Sequence, residues 1–307
     1  MIHLPEETLF GFEFTFMDSM SQKIKEGGTL TPELRYWWEN LDSSFHENFA
    51  LKFNTQKSKL EEARNVIGLP VYKYNFPENE DFWLILNVDP EVVEIQSKPI
   101  TFKQIIDNKI LEKLFDCMLT VNGMLQGNGG GHINVDYTTG FGRNFNLIRK
   151  TLQASEDYYL NNIRVGTPSF VIDIGYLQHD PFLNCDRIKA SEVSPAKNYY
   201  FDWQNNVAIR KDMNKFKNDH AAWLLAHPTN EQDNKKVLSD RKEENRVAKA
   251  LHYQAVNIEH LYEAEEHNRL EFRFFKAQTS IEDIITGIEI IDKIVGDAKD
   301  PSKKYKL

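Results

Sequence analysis

Phe10-Gly11-Phe12-Glu13-Phe14-Thr15-Phe16 alternates aromatic residues with small or polar ones without a break. Side chains two apart share a face of a strand. Phe10, Phe12, Phe14 and Phe16 therefore line one face, and Gly11, Glu13 and Thr15 the other. A face of four phenylalanines must be buried, at about 1.5–3 kcal/mol for each ring. The stretch predicts a strand built for the interior with a carboxylate in the middle of its second face. His132-Ile133-Asn134-Val135-Asp136 has the same design, with His132, Asn134 and Asp136 opposite Ile133 and Val135. So does the stretch from Leu270 to Phe275, where Glu271 and Arg273 oppose Leu270, Phe272 and Phe274.

Each of these, alone, reads as the solvated face of an ordinary antiparallel sheet. Together they read differently. One face would gather Glu13, His132, Glu271 and Arg273, with few of the lysines and threonines that decorate exposed sheets. Two carboxylates and an imidazole can bind a divalent cation, and an arginine beside them can hold a phosphate through two hydrogen bonds. Mg²⁺ prefers oxygen ligands; an imidazole in the set also admits Mn²⁺.

Elsewhere, Phe82–Val88 and Val92–Ser97 read as strands broken at Asp89-Pro90. Thr101–Gly123, Phe145–Leu160 and Ile281–Val295 carry apolar residues at helical spacing. Leu30–Phe53 reads as loop plus a short helix, and Ser58–Val66 has helical composition. Gly27-Gly28 is a turn, and Gly127–Gly131 a flexible turn; it lacks the Lys-Ser/Thr of a phosphate loop and leads into a strand. Lys235–Leu251 reads as a charged helix and Tyr253–Ile258 as a strand. Interspersed helices and strands predict an α+β fold with a largely antiparallel sheet. The chain reads as one domain over 1–307, with an insertion or lid at about 166–234 and a polar tail from Asp297 to Leu307.

Composition narrows the function. Among 307 residues there are 37 Lys and Arg against 46 Asp and Glu, a net charge of −9. Nucleic-acid backbones demand a basic footprint, so no nucleic-acid partner is expected. Two cysteines, Cys117 and Cys185, cannot build a disulfide framework or a four-thiolate zinc site. No apolar run approaches the roughly 20 residues that span a bilayer. The acidic start, Met1-Ile2-His3-Leu4-Pro5-Glu6-Glu7, lacks the pattern of a signal peptide. The expected location is the cytoplasm, away from membranes, although an effector exported by a dedicated machine would read the same.

Five segments, in order, resemble the amidoligase family, carboxylate–amine ligases of the glutamine synthetase and gamma-glutamylcysteine ligase superfamily. Gly11-Phe12-Glu13-Phe14-Thr15-Phe16 is similar to the family's Gly-x-Glu-x-Glu-aromatic strand. Val93-Glu94-Ile95-Gln96-Ser97-Lys98-Pro99-Ile100 is similar to its Glu-x-x-Ser-Pro-Pro-Leu element. Gly130-Gly131-His132-Ile133-Asn134-Val135 resembles Gly-x-His-x-His-Val. Tyr253-Gln254-Ala255-Val256-Asn257 resembles Tyr-x-x-Leu-Asn. Arg269-Leu270-Glu271-Phe272-Arg273-Phe274-Phe275, followed by Thr279 and a helix, resembles the Glu-Phe-Arg segment. The likeness covers about Phe10–Asp136 and Tyr253–Val295.

The resemblance implies a curved antiparallel sheet of the glutamine-synthetase catalytic type with flanking helices, holding ATP and Mg²⁺ or Mn²⁺ on its concave face. It implies an ATP-dependent ligase that phosphorylates a carboxylate and lets an amine displace the phosphate, on small-molecule or peptide substrates. Glu13, His132 and Glu271 match metal ligands, and Glu94 a carboxylate of a second metal site. Arg273 matches the arginine that stabilises the transferring phosphoryl group; with Asn134 and Asn257 it falls on the nucleotide side. Glu94 and Arg273 are the catalytic candidates. Two positions depart from the pattern. Thr15 stands where a second carboxylate is usual, and Asn134 where a second histidine is usual; Asp89, Gln96 or Asp136 would have to fill in. The competing readings are a degenerate, non-catalytic member acting as a binding or scaffold protein, a phosphotransferase on the same fold, and, more remotely, a metal-dependent hydrolase.

Overall fold

The structure, a computed structural model, describes residues 3–16, 19–25, 28–64, 67–122, 131–159, 256–257, 260, 268–273, 275 and 278–305. The expected insertion at 166–234, the Lys235–Leu251 helix, Cys185, Gly27 and most of the glycine-rich turn lie outside them.

The four-phenylalanine stretch is strand β1 (Leu9–Phe16), and all four rings are buried. Eight more strands join it among the described residues: β2 (Gln56–Arg64), β3 (Pro70–Phe76), β4 (Phe82–Asp89), β5 (Val92–Ser97), β6 (Ile100–Thr101), β7 (His132–Asp136), β8 (Val256–Asn257) and β9 (Arg269–Phe272). They form one antiparallel sheet in the order β2-β3-β4-β5-β1-β7-β9-β8, with β6 also beside β1. The fold is therefore mixed α and β around a large open antiparallel sheet.

Four consecutive strands, β2 to β5, make one half by local hairpins. The other half is assembled from distant parts of the chain. Between β5 and β6 the ladder on β1 is interrupted around Lys98-Pro99, because proline has no N–H to give. The Ser97 hydroxyl accepts from the Phe12 backbone N–H there, at 3.1 Å.

Ser58–Val66 is a correction: its described part, Ser58–Arg64, is not a helix but most of edge strand β2, paired from Gln56 to Leu60 with β3. Its Lys, Glu and Ala residues favour helix weakly, and pairing with β3 overrides that preference. Leu30–Phe53 is a second correction, since it holds a 19-residue helix, α1 (Pro32–Ala50), capped by Thr31. Its aromatic residues are indifferent helix formers, and tertiary packing stabilises them. Trp38, Phe45 and Phe49 meet Tyr72, Tyr74 and Phe76 of β3 at ring-centroid distances of 6.4, 4.9 and 5.3 Å. The helix expected over Thr101–Gly123 is two, α2 (Phe102–Asp107) and α3 (Lys109–Asn122), because Asn108 ends the first and caps the second. Its Oδ1 accepts from the N–H groups of Ile110 and Leu111.

Three more helices follow, α4 (Tyr137–Phe141), α5 (Phe145–Tyr159) and α6 (Ile281–Lys299). Helix α6 continues past Val295, so the tail begins later than the composition implied. Phe14 meets Phe115 of α3 edge-on at 5.4 Å. A Cβ on Gly287 of α6 would lie 2.5 Å from Ile133 Cδ1 of β7, so a larger residue there would force Ile133 to shift. Helices α1, α3 and α6 thus all pack on the phenylalanine side. That leaves the opposite face to Glu13 and its neighbours.

Candidate metal centre

Register decides which polar residues meet. Glu13 on β1 stands directly across from His132 on β7. Asn134, two residues on, faces Glu271 on β9, and Glu271 faces Asn257 on β8. Directly opposed residues across an antiparallel pair bring their Cβ atoms within about 5.5 Å. Three strands far apart in sequence therefore deliver Glu13, His132 and Glu271 to one spot.

Their ligand atoms converge. His132 Nδ1 lies 2.8 Å from Glu13 Oε2 and 2.9 Å from Glu271 Oε1. One oxygen from each carboxylate and one imidazole nitrogen all fall within 4.8 Å of one another. Cis ligands on an octahedral cation with bonds of about 2.1 Å sit about 3 Å apart, so the spacing and the donor set fit Mg²⁺ or Mn²⁺. Nδ1 has one proton to share between two carboxylates; a cation would satisfy all three ligands.

Arg273 completes the group. Its Nη1 donates to both oxygens of Glu271 at 2.9 Å. Glu271 and Arg273 are 1% and 4% exposed, and His132 is buried as well. Charges that deep in a protein persist only when paired. Burial alone would lower the pKa of His132. The negative charge of Glu271 and hydrogen bonds to Glu13 and Glu271 outweigh it and raise that pKa to about 9. Burial would raise the pKa of Glu271, but His132, His260 and Arg273 hold it well below the carboxylate range. These two shifts are one interaction seen from both partners.

The other candidates sit around this centre in different ways. Glu94 is on the same face of the sheet but outside the converging set. Its carboxylate accepts from Gln96 Nε2 at 2.8 Å. Burial, then repulsion from Glu13 and Asp89, raises its pKa to about 7. Asn257 donates to Glu271 Oε2 at 2.8 Å, and Asn134 accepts from Arg269 Nε at 3.1 Å. Thr15 faces Glu94 across the β1–β5 pair. Asp136 caps α4 instead, accepting from the backbone N–H and hydroxyl of Thr139.

Two residues that the sequence reading gave no role belong here. His260 Nε2 lies 3.3 Å from Glu271 Oε2 and 3.4 Å from an Arg269 guanidinium nitrogen. Arg269 was legible in principle, since Arg269, Glu271 and Arg273 alternate onto one face. His260 follows a two-residue strand and carries no spacing signal.

No family model matches the chain, nor does any curated protein or solved structure. No helix among the described residues is long and apolar enough to cross a membrane.

Proposed function

We propose that this protein is an ATP-dependent carboxylate–amine ligase of the amidoligase type, built on a sheet of the glutamine-synthetase kind. The observation that carries the reading is the convergence of Glu13, His132 and Glu271 with Arg273 on the same carboxylate. Glu13, His132 and Glu271 would hold a divalent cation that supplies charge neutralisation for a triphosphate. Arg273 supplies a fixed guanidinium for phosphoryl oxygens beside it. Phosphoryl transfer depends mainly on such positioning and neutralisation. The substrate carboxylate is the nucleophile in this reading, so no side chain has to form a covalent bond. Glu94, pushed up to about 7, can exchange a proton near neutrality. That suits it to take a proton from an attacking amine or to complete a second cation site. The substrates are small or peptide carboxylates and amines, and the supply of ATP places the reaction in the cytoplasm.

A non-catalytic scaffold is the second reading, and one observation favours it. The buried charges balance internally, two carboxylates against an imidazolium and a guanidinium, and Asn134 is committed to Arg269. Calorimetric titration with ATP and Mg²⁺ or Mn²⁺ separates the two. The ligase reading expects metal-dependent ATP binding that Glu13→Gln and Arg273→Ala each abolish. Folded protein that binds no nucleotide under either metal would overturn it and leave the scaffold.

A further inference from the structure

The two oxygens of Glu271 are treated differently. Oε1 faces His132 Nδ1 and so belongs to the converging ligand set. Oε2 accepts from Asn257 Nδ2 at 2.8 Å and has His260 Nε2 at 3.3 Å. Arg273 Nη1 reaches both. These donors on Oε2 restrain the carboxylate about its last torsion. Its other oxygen then stays aimed at one point. Such outer partners orient metal ligands and typically matter 10–100-fold in affinity.

We propose that His260, acting with Asn257, is a positioning residue: it holds Oε2 of Glu271 and thereby aims Oε1 at the cation. The inference rests on the metal-centre reading above. His260 stands outside β8 and β9, and its side chain is 16% exposed. Its Nε2 also lies 3.4 Å from Arg269, whose Nε donates to Asn134 Oδ1 on β7. With Nε2 protonated toward Glu271, the Arg269 nitrogen near it is a second donor rather than a partner, so His260 acts on the far oxygen of Glu271 directly. Nε2 can bear one proton, and the buried negative charge of Glu271 assigns it to the Nε2–H···Oε2 contact; this tautomer follows from the surroundings. An amide N–H can replace that donor, whereas a hydrocarbon cannot.

The test uses the full chain and Mn²⁺ alone, read as loss of the electron paramagnetic resonance signal of the free ion. His260→Leu is expected to raise the Mn²⁺ dissociation constant 10–100-fold. His260→Gln is expected to stay within about threefold of wild type, because its amide N–H reaches the same oxygen, and Glu271→Gln to bind no Mn²⁺. Should the Leu variant not fold, His260→Ala against His260→Gln makes the same comparison. His260→Leu within twofold of wild type overturns the proposal. So does a folded His260→Gln as weak as the Leu variant, since the lost donor would then not be the cause. Wild-type protein that leaves the Mn²⁺ signal unchanged overturns the metal centre itself, and the positioning role with it.

Discussion

The two halves of the sheet bury polar groups for different ends. In the hairpin half, Asp42 of α1 is buried and accepts from Lys57 Nζ of β2 at 2.7 Å and from the Tyr74 hydroxyl of β3. Burial and the Asp42 charge drive the pKa of Tyr74 upward. This cluster lies on the helix side of the sheet, and each group in it has an opposite or complementary partner. It pins α1 to two strands and gathers no ligand set. In the assembled half, the buried polar groups lie on the other face, and two like charges, Glu13 and Glu271, are pressed against one imidazole. Mutual satisfaction fastens elements together. Two carboxylates gathered around one imidazole instead form a set of ligand atoms that could hold a cation.

The largest effect should come from breaking that second arrangement. Glu271→Ala takes from buried Arg273 the carboxylate it donates to and leaves His132 with Glu13 alone. A loss of about 3–5 kcal/mol in urea unfolding is expected, together with loss of Mn²⁺ binding. A loss under 1 kcal/mol would mean that the centre is far wetter than its burial indicates.

Proton linkage gives the next effect in size, read on protein freed of metal with a chelator. The folded-state pKa of His132 is above its ordinary 6.5, at about 9. Its contribution is therefore fully present below pH 6.5 and is lost as pH rises through about 9. Stability should fall by up to about 3 kcal/mol between pH 6 and pH 9.5, at about 1.4 kcal/mol per pH unit. His132→Gln should remove the part of that slope above about pH 7.5, leaving the fall near pH 7 that comes from Glu94. Equal wild-type stability at the two pH values would sink the assignment of a clamped imidazolium.

The hairpin half supplies the control. Tyr74→Phe removes one donor from Asp42 and should cost about 1–2 kcal/mol. Mn²⁺ affinity should stay within twofold, and a larger change would show that the halves are coupled. The smallest effect is expected at the β4–β5 turn, where Glu91 has φ 71°. Glu91→Gly relieves that left-handed conformation but gives up an exposed ion pair with Lys25. A net gain of about 0.5 kcal/mol is expected; a loss of 1 kcal/mol would show that the ion pair outweighs the strain.

Legibility followed the same division. Strands β1, β5, β7 and β9 were readable because each alternates between an apolar and a more polar face, and β4 because it is a short apolar run; both patterns are local. Helix α6 was readable from the spacing of its isoleucines. Strand β2 was not, since Ser-Lys-Leu-Glu-Glu-Ala-Arg has no apolar face of its own and takes its conformation from β3. Strand β3 was passed over although it was legible, since Tyr72, Tyr74 and Phe76 alternate with Lys73 and Asn75. At the site, Glu13, His132, Glu271 and Arg273 were found by asking what shares a face. Glu94 came only from the family resemblance, and it lies outside the converging set.

By itself the sequence determined which side of each strand is apolar, because a period of two is written in neighbouring residues. It also determined, through the four-phenylalanine face, that β1 lies in the interior. Tertiary structure alone decided that β1 sits between β5 and β7, with β9 beyond. Strand order joins residues more than a hundred positions apart, and no local pattern encodes it. That order and its register set His132 between two carboxylates, and brought His260, from beyond strand β8, to the far oxygen of Glu271.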